Sequence, residues 1–496
     1  MTVGADRQIR GIARGGVLNL AGAILGQAAV FGVLLLLARV LGEDEVGRYA
    51  QGYAVLTLLG LLALSGFRAG VTRFVAVHLA DDDPSAVRGT VRLALLVSGG
   101  SAALLGVALA LAAPWLAESL HDPALAGGLR LMALTLPAST VMEAALAATR
   151  GWRSQRAFTL IGQIFEPASR LVVTAVLLLA GFGVGGAFTA LVVSTWSAAV
   201  LALFAVRKRL AALEGSGHTY APRQLFSFST VSWVSSLAST GLIWLDTLLL
   251  GFFASPDIGV YNVSTRLVTV AVFVLAPLNA AFAPYLADLY HRGEMDQVRA
   301  SYRAVTGWVV RLSLPAFAVL LAFPDRLLTL FGDVYTAGAA VTVILAAGQL
   351  VNAATGPCGT VLNMSGRVAL NMADNVAALI LNVLLNLILI PEYGIVGAAV
   401  AWAASLTVVN LARVVQVRRL IGTLPASRGM AKGLLAGAAA LVAGLALAAV
   451  LPGGPVALVA GLVVVAGVYA GTVLALGLGR EDRMVLRALR RGSRAS

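Results

Sequence analysis

The chain carries a single cysteine, Cys358, so no intramolecular disulfide can form and no cysteine-based metal site can be built. Charge is also scarce: 12% of residues are Asp, Glu, Lys or Arg, against about 25% in a soluble domain. There is no G-x-x-x-x-G-K-[ST] loop to cradle nucleotide phosphates. The longest stretches between apolar runs, at 206–225 and 287–303, hold about 20 residues and leave no room for a folded soluble domain. These absences count against an ATP-driven pump. They also count against a membrane glycosyltransferase or ligase that places catalytic residues on a large external loop. Nothing in the sequence demands a cofactor, a metal or a catalytic residue.

What is present is apolar. Hydrophobic residues make up 59% of the chain, with 53 glycines and a mean hydropathy of +0.89. Runs of about 20 apolar residues recur from Val17 almost to the C-terminus, each long enough to cross a hydrocarbon core of about 30 Å as a helix. Fourteen such runs are counted, among them 157–181, 259–287, 370–391 and 395–417. The expectation is an all-α polytopic membrane protein of about 14 transmembrane helices. The glycines suit it, because small residues let membrane helices pack closely. Arg7, Arg10 and Arg14 precede the first run, which extends well past the "AGA" at 21–23, so an uncleaved first helix is expected rather than a signal peptide.

The formal charge of +13 reads as a topology signal rather than a nucleic-acid footprint. Assigning loops alternately to two sides places 28 of the 36 basic residues on one side, including Arg150/Arg153/Arg156, Arg207/Lys208/Arg209 and the six arginines of the tail. The other side holds Arg48, Arg130 and Arg326 among acids such as Glu43, Asp44, Asp122 and Asp257. The positive-inside rule then makes both termini cytoplasmic, which an even helix count satisfies.

"DEVGRY" (44–49) and "PDIGVY" (256–261) are 212 residues apart, while "GVGGA" (183–187) and "GIVGA" (394–398) are separated by 211. "RFVAVHLADDDPSAVR" (73–88) aligns with "PYLADLYHRGEMDQVR" (284–299) at 211 as well. Three matches near one spacing indicate duplication into parallel six-helix repeats. The expected organisation is an N-terminal lobe at 1–210, a C-terminal lobe at 211–425, two further transmembrane helices at 426–480 and a basic cytoplasmic tail at 481–496.

Nine charges remain at membrane depth: Arg39, Arg68, Arg170, Arg266 and Arg311, with Glu143, Glu166, Asp246 and Asp374. Such residues normally face a bundle interior or a water-filled cavity. Arg39 and Arg68 lie near helix ends, where snorkelling is an equal alternative. Glu166 and Arg170, at i and i+4 within "GQIFEPASRL" (162–171), share a helix face and can also simply neutralise one another. Their repeat mates, Ala377 and Leu381, are uncharged, so the scaffold itself does not require the pair. Pro167 removes a helix donor and is expected to kink this helix. Asn19, Gln27, Gln163, Asn279, Gln349, Asn352, Asn375, Asn382 and Asn386 add polarity, explained either by a hydrophilic lumen or by hydrogen bonds between helices. The excess of arginine over acid points to a cationic cavity and an anionic, phosphate-linked ligand.

"WLDTLLLGFFASPDIGVYNVSTRL" (244–267), "LARVLGEDEVGRYAQGYAV" (37–55) followed by "SGFRAGVTRFVAVHLADDD", and "IPEYGIVGAAVAWAAS" (390–405) resemble polysaccharide-export flippases of the multidrug/oligosaccharidyl-lipid/polysaccharide superfamily. The resemblance spans the whole chain, on motifs that mostly mark turns. It implies a V-shaped two-lobe transporter in the cell inner (plasma) membrane that flips a polyprenyl-(pyro)phosphate-linked oligosaccharide to the external leaflet by alternating access. The implied partners are that lipid-linked oligosaccharide, membrane lipids, a coupling ion (proton or sodium) and a polysaccharide polymerase or glycosyltransferases. The candidate substrate-binding residues are Arg170, Glu166, Arg311, Arg266, Arg68, Arg39 and Asn279, and the candidate ion-coupling acids are Asp246 and Asp374. The alternatives are a drug/cation antiporter of the same superfamily, with Glu166, Asp246 or Asp374 as exchange carboxylate, a lipid II flippase, or a membrane scaffold without transport.

Overall fold

Hydrocarbon offers a backbone no hydrogen-bond partners, so each apolar run must satisfy its own N–H and C=O groups as a helix. The computed structural model describes residues 2–477 except 216, 221, 273, 274 and 453, with the side chains of 2–18, 20, 231, 275–281, 284 and 455 also outside the description. No strand occurs among the described residues. The chain is an all-α polytopic membrane protein, and its backbone forms two compact units, Met1–Asn262 and Val263–Ser496. The tail expected at 481–496 lies outside the described residues.

The first unit contains α1 (Thr2–Leu41), α2 (Glu43–Leu64), α3 (Phe67–Ala80), α4 (Pro84–Ser119) and α5 (Leu125–Gly151). A π-helix (Phe158–Phe165) then leads into α6 (Glu166–Leu179), followed by α7 (Gly183–Ala211) and α8 (Pro222–Phe252). The unit boundary falls within α9 (Ile258–Ala271). Helix α5 is central, packed against α2, α3, α4 and α7, while α8 packs on α2 and α3. One core gathers Leu129, Met132, Leu136 and Phe188; another gathers Phe67, Val71, Val91, Ala145 and Leu225. Helix α4 shows the logic of a lipid-facing element. Leu104, Val107, Leu111 and Trp115 are exposed along one face, while Ala102, Gly106, Leu109 and Ala113 are buried on the other.

The second unit contains α10 (Leu275–His291), α11 (Met295–Ala322), α12 (Pro324–Leu328), a 3₁₀ turn (Asp333–Gly338), α13 (Ala339–Thr355) and α14 (Cys358–Met364). Then follow α15 (Val368–Ile421), α16 (Arg428–Val450) and α17 (Pro455–Ala475). The pair α16 and α17 packs on α11. Arg326 fastens one end by donating from Nη2 to the carbonyls of Ala448 and Leu451, both at 2.8 Å.

Twelve stretches among the described residues are long and apolar enough to cross a membrane, so fourteen separate spans are not established. Gly394 (φ 51°, ψ −130°) breaks the 54-residue α15 between the runs expected at 370–391 and 395–417. Within the run expected at 259–287 the described residues form α9 (Ile258–Ala271) and α10 (Leu275–His291), and residues 273 and 274 lie outside the description. Left-handed Ser65 (φ 49°) and Gly66 (φ 73°) end α2 and start α3. Residues of positive φ recur at the repeat spacing. Gly42 and Ala254, Asp82 and Gly293, His121 and Gly332, and Gly183 and Gly394 all adopt it, and each pair is 211 or 212 residues apart.

Candidate functional site

The break between α2 and α3 sets one wall of the site. An added Cβ at Gly66 would lie 2.3 Å from the Ser229 carbonyl oxygen of α8, so only glycine allows this approach. The turn places Arg68 in the first turn of α3, where it forms an ion pair with Glu143 of α5. Both side chains are about half exposed, toward a cavity of about 520 Å³ that they line together with Tyr53, Glu166 and Arg170.

The opposing charges come from α6. Pro167 lies where the π-helix runs directly into α6, with Phe165 and Glu166 both helical, so its missing N–H leaves a carbonyl of the preceding turn without a helical donor. A bare proline kink was expected; instead the chain widens upstream into the eight-residue π-helix, a form rare outside functional or strained sites. Helix α1 packs on this segment. Thr159 Oγ1 donates to Asn19 Oδ1 at 3.2 Å, and a Cβ at Gly26 would meet the Gln163 carbonyl oxygen at 2.2 Å. Asn19 and Gln163 therefore belong to the packing of α1 rather than to the cavity lining.

Glu166 and Arg170 are buried, at 8% and 6% exposure. Arg170 Nε lies 3.6 Å from Glu166 Oε1, near enough for attraction but too far for a hydrogen bond, and Nε has no hydrogen-bond partner. Ser194 Oγ donates to Glu166 Oε1 at 3.4 Å, and the Arg170 guanidinium carbon is 5.8 Å from the Tyr53 ring centroid. Tyr53 in turn packs on Trp244 of α8 at 5.2 Å. The charged lining is thus two arginines and two glutamates, balanced where an arginine excess was expected.

The remaining expected residues lie elsewhere. Arg39 is exposed at the end of α1, and Arg266 is half-buried on α9. Arg311 of α11 is set against α16, where a Cβ at Gly433 would meet its Cγ at 2.5 Å, and its backbone carbonyl accepts from Tyr469 Oη at 2.7 Å. The Asn279 side chain lies outside the described residues. Asp246 is fully buried and accepts from Tyr261 Oη at 2.8 Å, which ties together the acid and the Gly-x-Tyr of the "WLDTLLLGFFASPDIGVY" motif. Asp374 accepts from Gln416 Nε2 at 2.8 Å and lies 3.7 Å from Arg413 Nε.

The polar residues of the second unit bond across helices or along them. Asn410 donates to Asn352 at 3.1 Å, Asn352 to Gln349 at 2.9 Å, and Asn386 to Asn382 at 3.1 Å. Two features of the cavity escaped sequence reasoning: Tyr53 and a set of α8 hydroxyls. Arg150, two helical turns from Glu143 on α5, lies outside the lining, with its guanidinium carbon 4.5 Å from the Phe158 ring centroid.

Comparison with known proteins follows the same line. The family described as "Polysaccharide biosynthesis protein" matches residues 12–290, more than half of the chain, and the MatE family matches residues 232–388. Two relatives from Haloferax volcanii are the probable low-salt glycan biosynthesis flippase Agl15, 29% identical over 188 residues, and the probable flippase AglR, 30% identical over 212. These alignments cover 38% and 40% of this chain and 40% and 43% of the relatives, so about two-fifths of their length is spanned. Among solved structures, the lipid II flippase MurJ in an inward closed conformation is similar with a TM-score of 0.71 at 12% identity, over 93% of this chain and 98% of that one. An inward-facing multidrug resistance MATE family transporter of the MOP superfamily is similar with a TM-score of 0.68 at 14% identity, over 82% and 98%. At such identities the likeness is one of fold. By the match over residues 12–290, the chain belongs to the polysaccharide biosynthesis protein family.

Proposed function

We propose that the protein is a flippase, not an enzyme, that carries a polyprenyl-(pyro)phosphate-linked oligosaccharide from the cytoplasmic to the external leaflet of the plasma membrane. The observation that carries this reading is the pair of arginines at membrane depth, Arg170 and Arg68, facing one cavity from α6 and α3. Each is held by a glutamate without being used up. Arg170 lines the cavity although its Nε is buried against Glu166, and Arg68 is about half exposed. A guanidinium so placed can grip phosphate with two parallel bonds, while the polyprenyl chain stays in lipid.

Transport would proceed by alternating access between repeat lobes at 1–210 and 211–425, with both termini cytoplasmic. The contact that would have to part is that of α8 with α2 and α3, made by Trp233 Nε1 donating to the Leu61 carbonyl at 2.9 Å and by the Tyr53–Trp244 ring pair. Any ligand, lipid or coupling ion, shifts such an equilibrium only by its difference in affinity for the two states. A cationic drug fits the cavity less well, because Glu143 and Glu166 each already face an arginine.

The test is binding and transport in proteoliposomes of a polyprenyl-pyrophosphate oligosaccharide beside a cationic dye, before and after Arg170→Ala. Loss of lipid flipping alone is the expected result. Dye transport that ignores Arg170, with no lipid transport, would move the protein to the antiporters.

A further inference from the structure

Besides the four charges, the cavity wall is hydroxyl-rich. Ser232, Ser236 and Thr240 of α8 recur every four residues, on one face of the helix, and all three line the cavity, as does Thr195 of α7. Serine and threonine in a helix commonly turn the hydroxyl back onto a carbonyl of the preceding turn. Other cavity residues do this: Thr57 Oγ1 donates to the Tyr53 carbonyl, and Thr140 Oγ1 and Ser139 Oγ donate to the Leu136 carbonyl, at 2.8, 2.8 and 3.0 Å. Among the described residues, the hydroxyls of Ser232, Ser236, Thr240 and Thr195 make no hydrogen bond to protein.

Hydroxyls that served only to let helices approach would be buried in the contact. Ser232, Ser236 and Thr240 are half-buried at a cavity surface instead. From 232 to 240 the row covers about 12 Å of helix. Each hydroxyl offers one donor and two acceptor sites. A row of them with nothing bonded matches a ligand that itself presents donors and acceptors in close alternation, as the hydroxyls and ring oxygens of a sugar do. Phosphate has only acceptors and is matched by the arginines; a polyprenyl chain has neither.

We propose that Ser232, Ser236 and Thr240 form the wall that reads the glycan, hydrogen-bonding the sugar next to the phosphates while Arg170 and Arg68 hold the phosphates themselves. This rests on the flippase reading and adds the specificity determinant to it. The consequence is discrimination by hydroxyl pattern. A site whose polar groups are left unpaired by a ligand lacking a hydroxyl rejects that ligand far more strongly than an apolar pocket would.

The experiment compares the full-length protein in nanodiscs with a Ser232→Ala/Ser236→Ala/Thr240→Val variant and a single Ser236→Ala variant. The probes are undecaprenyl pyrophosphate without sugar and the same lipid carrying a hexose, an N-acetylhexosamine or a 6-deoxyhexose. The native protein is expected to bind at least one glycosylated probe more tightly than the bare lipid. The triple variant is expected to lose that preference, by about 150-fold if each of the three hydrogen bonds is worth about 1 kcal/mol, and the single variant to lose part of it. Binding of the bare lipid stays unchanged in both. Thermal stability also stays unchanged, since these hydroxyls bond nothing in the protein.

Equal affinity for all four probes in the native protein, or a sugar preference that survives in the triple variant, overturns the glycan wall and leaves the flippase reading standing. No binding of any of these lipids by the native protein overturns both.

Discussion

Replacement of Arg170 gives the sharpest test of whether the buried pair is machinery or scaffold. With Arg170 Nε 3.6 Å from Glu166 Oε1, the attraction is about 5 kcal/mol at an effective dielectric of 20. Most of it is offset by the desolvation of two groups that are only 8% and 6% exposed. Arg170→Ala removes the attraction but leaves Glu166 buried, and breaking a buried pair from one side costs about 3–5 kcal/mol. Glu166→Leu/Arg170→Met removes both charges at similar volume, so most of that stability returns. Thermal unfolding in detergent, read as a double-mutant cycle, measures the first quantity, and lipid flipping in proteoliposomes measures the second. The expected result is a double variant that is stable and inactive. A double variant that flips lipid normally would make the pair structural, and Arg170→Ala unfolding within 1 kcal/mol of the native protein would refute the claim that the pair is desolvated.

Three further outcomes follow from other contacts. Glu143→Gln releases Arg68 from its partner and should tighten binding of polyprenyl pyrophosphate up to about fivefold, since a half-exposed pair is worth at most about 1 kcal/mol; weaker binding in a titration would show that Glu143 helps to hold the ligand. Gly26→Val should separate α1 from the π-helix, because the new Cβ would meet the Gln163 carbonyl. An oxidative cross-link between Asn19→Cys and Thr159→Cys, in a Cys358→Ala background, should then form with Gly26 and fail with valine, whereas equal cross-linking would contradict the close approach. Asp83 caps α4, with its carboxylate accepting from Ala86 N at 2.9 Å and Ser85 Oγ at 2.6 Å. Those bonds hold its carboxyl below the usual range, so its stabilisation is present above the unfolded-state pKa and is lost as pH falls through the lower folded value. Asp83→Ala should therefore lower the unfolding temperature at neutral pH, with the gap to the native protein closing in acid; a gap independent of pH would remove the carboxylate from the cap.

Much of the architecture is written in composition. Length and apolarity of the runs dictate helices, because lipid leaves the backbone no other way to satisfy its hydrogen bonds. The duplication, too, is legible, because a turn needing positive φ constrains its residues, and the "GVGGA" and "GIVGA" turns share that backbone at Gly183 and Gly394. The charges within apolar runs could be picked out one by one, since a charge is costly in hydrocarbon whatever its partner.

Pairing between helices was not legible, because it depends on which helix faces which. Glu143 meets Arg68 across 75 residues, Asp246 meets Tyr261, and Arg311 is set against α16, so an arginine excess counted along the chain becomes a balanced cavity in space. The π-helix was hidden for a similar reason: Pro167 announces a disturbance, but the packing of Gly22 and Gly26 against Thr159 and Gln163 accompanies the wider turn it took. Apolar runs of this length and number require a bundle of membrane-crossing helices, whatever their order in space. Which charges share a cavity and which hydroxyls stay unbonded follows from the fold, because a side chain's partner is set by the approach of helices far apart in the chain.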